Sequence, residues 1–182
     1  LQVTGATTID NDLSLSGSVT YNSAAAQTLS GVISGVGTFT KAGAGTLTLS
    51  GDNTYAGATT VNAGTLSVAS DGNLGSGAVN LGAGTTLQVT GATTIDNDLS
   101  LSGSATYNSA ANQTLSGVIS GVGGLTKTGA GTLTLSGSNT LLGNLLVNEG
   151  TLSVASDGNL GAGAVNLGAG TTLLVTGATT ID

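Results

Sequence analysis

The stretch Lys41–Leu66 reads KAGAGTLTLSGDNTYAGATTVNAGTL, and most of it returns at Lys127–Leu152 as KTGAGTLTLSGSNTLLGNLLVNEGTL. Within it, Thr46–Ser50 (TLTLS) places Leu47 and Leu49 on one side and hydroxyls on the other, the two-residue period of a half-buried strand. Thr65–Val68 (TLSV) repeats the pattern with Leu66 and Val68, and Thr86–Val89 (TLQV) with Leu87 and Val89. Shorter strands ending at Val61, Leu81 and Ile95 fall between them. Gly-rich turns such as SGDN, NAG and LGAG separate all of these, and such residues suit tight corners. There is no sustained 3.6-residue period, and Gly and Thr both disfavour helix. The best helical stretch, Asn22–Leu29 (NSAAAQTL), is too short to hold alone and is read as a loop.

A longer period encloses this pattern. Leu1–Ser18 recurs letter for letter as Leu87–Ser104 and begins again at Leu173, a period of 86 residues. The chain is therefore one continuous all-β solenoid of two units, 1–86 and 87–172, with a partial third at 173–182. Four coils per unit are predicted: Thr46–Gly64, Thr65–Gly84, Thr85–Ser104 and a longer Ala105–Gly131. Parallel stacking at about 4.8 Å would make roughly eight coils into a rod about 40 Å long. Leu47, Leu49, Val61, Leu66, Val68, Val79, Leu81, Leu87, Val89 and Ile95, with their counterparts in the second unit, are the expected interior.

Composition agrees and narrows the function. Only 6% of the 182 residues are charged, 38% are apolar, and aromatics make up 2%. Nine carboxylates stand against two lysines, Lys41 and Lys127, giving a net charge of −7. Nucleic acid and anionic membranes need clustered Lys and Arg, so neither is an expected partner. No apolar run is long enough for a transmembrane helix, and direct membrane insertion of this segment is not expected. There is no Cys and no His, which removes disulfides, thiol chemistry and structural zinc sites. Leu1 opens in mid-pattern, so the chain reads as a piece of a longer one.

Gly35–Leu66 (GVGTFTKAGAGTLTLSGDNTYAGATTVNAGTL) resembles the passenger-associated repeat of bacterial autotransporters. The second copy, Gly121–Leu152, follows the pattern as far as SGSNT and then departs, with Leu141 in place of Tyr55 and NLLVNEG in place of ATTVNAG. The resemblance implies a right-handed parallel β-helix exposed outside the cell, on the bacterial surface or secreted. It implies roles as an adhesin, as a biofilm or aggregation factor, or as a stalk for a distal domain.

Candidate chemistry is sparse. Asp10 with Asp12, and Asp96 with Asp98, form i, i+2 carboxylate pairs in IDNDL. Such a pair could serve glycosidic chemistry or offer ligands to calcium. Its recurrence at one register in both units favours a solvated turn, and no catalytic residue, metal or cofactor is expected. GVGTFTK at Gly35–Lys41 lacks phosphate-loop spacing. Asn62, Asn80, Asn148 and Asn166 each follow a valine and precede a glycine by two, and are expected to stack from coil to coil as a hydrogen-bonded ladder. NQT at Asn112–Thr114 fits the N-glycosylation pattern, but unit one has Ala26 there. Outward Thr pairs such as Thr46 and Thr48 suggest an ice-binding row, interrupted at Gln88. Leu141, Leu142, Leu145 and Leu146 replace Tyr55, Ala56, Thr59 and Thr60; if exposed, they form an apolar contact patch. The expected function is an adhesive or self-associating rod that contacts further copies head-to-tail or laterally, or a host surface or extracellular polysaccharide. The alternative is a passive spacer, with ice binding and a polysaccharide-degrading enzyme more distant.

Overall fold

The computed structural model describes residues 5, 7–178, 180 and 181; Asp182 and the first letters of unit one lie outside them. Among the described residues there are 23 strands of two to four residues and two 3₁₀ turns, Asp71–Asn73 and Asp157–Asn159. The ladders join residues about one coil apart and run parallel. Leu47 pairs with Leu66, and Leu66 with Leu87. The alternation that makes each strand also buries its aliphatic side, so Leu47, Leu66 and Leu87 stack inside while their neighbours point outward.

The chain is a three-faced parallel β-solenoid. The first face is a nine-stranded sheet running from Thr7–Ile9 to Val165–Leu167. The second is a seven-stranded sheet from Val19–Asn22 to Thr140–Leu141. The third carries a two-stranded sheet, Leu13–Leu15 with Ile33–Gly35, and a five-stranded sheet from Thr94–Ile95 to Thr172–Val175. Between those two sheets the ladder continues without regular strands: Thr54 N donates to Ile33 O at 2.8 Å and Ser76 N to Tyr55 O at 3.0 Å. The nine rungs of the first face make about eight turns.

The number of coils per unit differs from the expected four. On the first face one column runs Thr46, Thr65, Thr86, Thr106, Thr126, so Thr126 stands four full turns beyond Thr46. The counterpart of Thr46 in unit two is Thr132, which lies on the third face. One unit therefore spans four turns plus one further face, and unit two sits rotated about a third of a turn from unit one. The supposed long coil, Ala105–Gly131, is an ordinary turn with an additional strand, Leu125–Thr128. Asn22–Leu29 likewise ends in a strand, Gln27–Leu29, whose first and last residues are buried. The rotation is tolerated because every face asks for the same thing: a short strand with aliphatics at i and i+2, bounded by small corner residues. Stacking neighbours are about one turn apart, so most contacts form within a unit and do not sense which face it begins on.

All ten expected interior residues from Leu47 to Ile95 are buried, as are the counterparts Leu133, Leu135, Val147, Leu152 and Val154. Val165, Leu173 and Ile181 are half-buried, and Leu167 and Val175 exposed, in the last turn. The interior of unit one also holds an aromatic column, Tyr21, Phe39 and Tyr55, with ring centroids 6.5 and 6.2 Å apart. In unit two its positions are Tyr107, Leu125 and Leu141. Tyr21 OH donates to Gln27 Oε1 at 3.1 Å, whereas Tyr107 OH and Gln113 Oε1, the same pair in unit two, are buried without partners. Removing a bonded hydroxyl costs about 1 kcal/mol, whereas removing an unpaired one relieves a desolvation penalty. Tyr21→Phe is thus expected to lower the urea midpoint, and Tyr107→Phe to leave it unchanged or raise it. Equal losses in the two variants would contradict the difference in pairing.

Candidate interaction surface

The groups that usually carry chemistry are inside. Lys41 and Lys127 are buried, each extended through the interior to a corner. Lys41 Nζ donates to Gly43 O at 3.0 Å and Ala63 O at 2.8 Å. Lys127 Nζ donates to Gly129 O and Glu149 O, both at 2.8 Å. Burial pushes both amines below the ordinary lysine range, offset at Lys127 by the nearby Glu149 carboxylate. These are the only Lys or Arg residues in the chain, so no side-chain cation faces solvent. The three tyrosines and the single phenylalanine are also buried. The surface thus offers no aromatic plane on which a sugar ring could stack.

Outward positions form columns of small polar groups. On the first face Thr46, Thr65, Thr86, Thr106 and Thr126 stack in register, and the column then passes to Leu146. The neighbouring column is mixed, running Thr28, Thr48, Ser67, Gln88, Asn108. The second face shows Thr20, Thr40, Thr60, Asn80, Ser100, Ser120 and Thr140.

The expected asparagine ladder does not form where the sequence placed it. Asn80 stands between Thr60 and Ser100 and donates from Nδ2 to Thr60 Oγ1 at 3.3 Å. Asn166 is in register with Leu146. Asn62 and Asn148 lie at corners, beside Gly82 and Gly168. Val61 pairs with Leu81 rather than Val79, so the similar strings VNAG and VNLG are offset by two residues in space.

Coil-to-coil amides are instead supplied by buried asparagines outside the VNAG and VNLG strings. Asn53 Oδ1 accepts from Ile33 N at 2.7 Å, and its Nδ2 donates to Asn73 O at 2.5 Å. Asn73 Nδ2 donates to Gly51 O at 3.1 Å, while its Oδ1 accepts from Ala69 N and Ser70 N. Asn139 and Asn159 repeat this in unit two. Asn97 bonds Gly75 O and Gly77 O, both at 2.8 Å. A signal existed: Asn53 and Asn139 are kept while the residue before them changes from Asp52 to Ser138.

The aspartate pairs also serve the corners. Asp12 Oδ1 accepts from Val32 N at 2.8 Å, and Asp98 Oδ1 from Val118 N at 2.7 Å. Asp10 and Asp96 are exposed beside them, and Asp96 N donates to Asp71 Oδ1. Among the described residues no group of three or more carboxylates is placed to hold a metal ion. Unit rotation then segregates charge. Asp10, Asp12, Asp52, Asp71 and Glu149 lie at the corner between the first and third faces, and Asp96, Asp98 and Asp157 at the corner between the third and second. Among the described residues, the corner joining the second face to the first carries no carboxylate; the one charged group that reaches it is the buried Lys41 amine, held by Gly43 O and Ala63 O.

The leucine run is split between inside and outside. Leu141 and Leu145 are buried where Tyr55 OH and Thr59 Oγ1 share a 2.5 Å hydrogen bond in unit one. A bonded polar pair has been exchanged for an apolar pair, which leaves no orphaned partner. Leu142 is 63% exposed and Leu146 half-exposed on the outer side. Only two of the four leucines are therefore available to the expected contact patch.

No curated protein and no solved structure matches the chain. Residues 39–68 and 125–154 match the family model of the passenger-associated-transport-repeat. The chain thus carries two copies of that repeat on a parallel β-solenoid, which together fit the β-helix of an autotransporter passenger and suggest an extracellular or cell-surface location.

Proposed function

We propose that the chain is a right-handed β-helical rod of the bacterial surface that works by associating with further copies of itself, not by turnover. A right-handed winding is the sense in which crossovers between parallel strands run. The carrying observation is the surface: lysines, tyrosines and phenylalanine are all buried, leaving repeated hydroxyl columns, carboxylate corners and a few exposed aliphatics. Such a surface suits many weak contacts between long, regular bodies better than capture of one small ligand. The exposed Val122 and Leu142 favour self-contact over a passive spacer. Polysaccharide remains a secondary partner, without an aromatic platform to support it.

The test is clumping of latex beads coated with the chain. Coated beads are expected to clump at physiological salt, and beads coated with an unrelated acidic protein to stay dispersed. If chain-coated beads also stay dispersed, self-association fails and the spacer reading takes its place.

A further inference from the structure

The two readings of self-contact, end-on and side-on, make different demands on the surface, and the charge map separates them. With a net charge of −7 and no exposed side-chain cation, two copies lying side by side repel wherever carboxylates meet. No ion pair can offset this repulsion, because both lysines are committed to interior carbonyls. Two of the three long corners carry the described carboxylates. The remaining corner, between the second and first faces, is lined by residues such as Ala44, Ala63, Ser104, Val122 and Leu142.

That corner also holds the main exposed aliphatics of unit two. Val122 is 71% exposed, and Leu142 follows it one turn later, with its N–H donating to Gly121 O at 2.9 Å. A shallow groove beside them runs to Leu146 on the first face, lined by Gly124, Thr126, Asn144 and Asn166. It contains no titratable group. Unit one has nothing equivalent here: its most exposed valine, Val36, is the counterpart of Val122, but the rotation of the repeat places it on the corner between the third and second faces.

We infer that the carboxylate-free corner around Val122, Leu142 and Leu146 is a lateral interface for a second copy of this chain, the carboxylate corners of both copies facing outward. This rests on the self-association reading and adds the face, the orientation and the partner. A strip about 40 Å long and about 15 Å wide would bury on the order of 600 Å² per copy, at the lower end for specific complexes. The pairing should therefore be weak in isolated chains and be strengthened where many copies are held together. Because it is apolar and opposed by like charge, added salt should tighten it by screening.

The experiment is sedimentation and small-angle scattering of the chain against concentration, for the unaltered protein, Leu142→Asp and Val36→Asp. Both variants add one carboxylate at a well-exposed aliphatic, and a far-ultraviolet dichroism spectrum checks that each keeps its fold. Association that thickens the cross-section, tightens with salt, and weakens at least tenfold in Leu142→Asp but little in Val36→Asp supports the assignment. Association that lengthens the rod at constant cross-section overturns this face while leaving self-association standing. Equal weakening in both variants also overturns it, since total charge rather than place would then decide. No association at any concentration, together with dispersed coated beads, overturns both readings; no association in solution with clumped beads overturns this interface alone.

Discussion

Asn53→Ala is expected to lower folding stability by about 3 kcal/mol, seen as a lower urea midpoint, and Asn62→Ala to change it by less than about 0.5 kcal/mol. The two residues are nine positions apart, both follow strands, and both look like turn asparagines in sequence. Asn53 is buried, and its amide joins Ile33 of the preceding turn to Asn73 of the following one. Alanine would leave the Ile33 N–H and the Asn73 carbonyl without partners in a dry corner. Each such orphan costs about 1–3 kcal/mol, more than the amide's own hydrogen bonds contribute net. Asn53→Asp should restore only the acceptor half and fall between wild type and alanine. Asn62 is exposed at its corner, where water replaces whatever its side chain loses. A similar cost at both positions would show that the buried amides are not what ties the turns together.

The second large effect is expected at Gly57. A Cβ there would overlap the carbonyl of Gly37 and lie 2.6 Å from its carbon and 2.8 Å from Thr38 N, all backbone atoms of the turn below. Gly37 stands in the same relation to Gly17, and Gly77 to Gly57. The rigid ladder on either side prevents this corner from moving apart alone. Gly57→Ala is therefore expected to cost more than about 3 kcal/mol, above the usual range for an added methyl. Gly72 is the control. A Cβ there meets nothing closer than 3.7 Å, so Gly72→Ala should stay within about 0.5 kcal/mol, with some gain from a less flexible unfolded chain. Hydrogen exchange adds a spatial check: because each turn contacts mainly its neighbours, protection lost in Gly57→Ala should centre on the turns containing Gly37 and Gly77. Uniform loss along the rod would indicate one cooperative unit instead.

These two cases show how differently local and global features are written in the chain. Leu47, Leu66 and Leu87 are recognisable as stacked interior residues because a strand's two-residue period assigns sides without reference to anything distant. The glycines mark corners for an equally local reason. The buried amides were harder to find: Asn53 and Asn62 differ only in which way a corner folds over its neighbour. The leucine run was half legible. Its pairing with Tyr55 and Thr59 is visible in the letters, but only the strand register separates the buried Leu141 and Leu145 from Leu142 and Leu146 outside.

The sequence alone determined that the chain is a stack of short parallel strands with an aliphatic inside, since alternation and glycine spacing leave a chain of this composition no other way to exclude water. Only the tertiary structure decided how the repeat is phased against the turn. Closure of a turn depends on the summed lengths of three strands and three corners, and one face left over in 86 residues cannot be seen until the ladders are paired. That remainder carries the IDND segment of unit two to a different corner from that of unit one, and with it the charge. It also moves Glu149 away from the corner where its counterpart Ala63 lies, so among the described residues one long edge of the rod carries no carboxylate, although no segment of the sequence marks it as such.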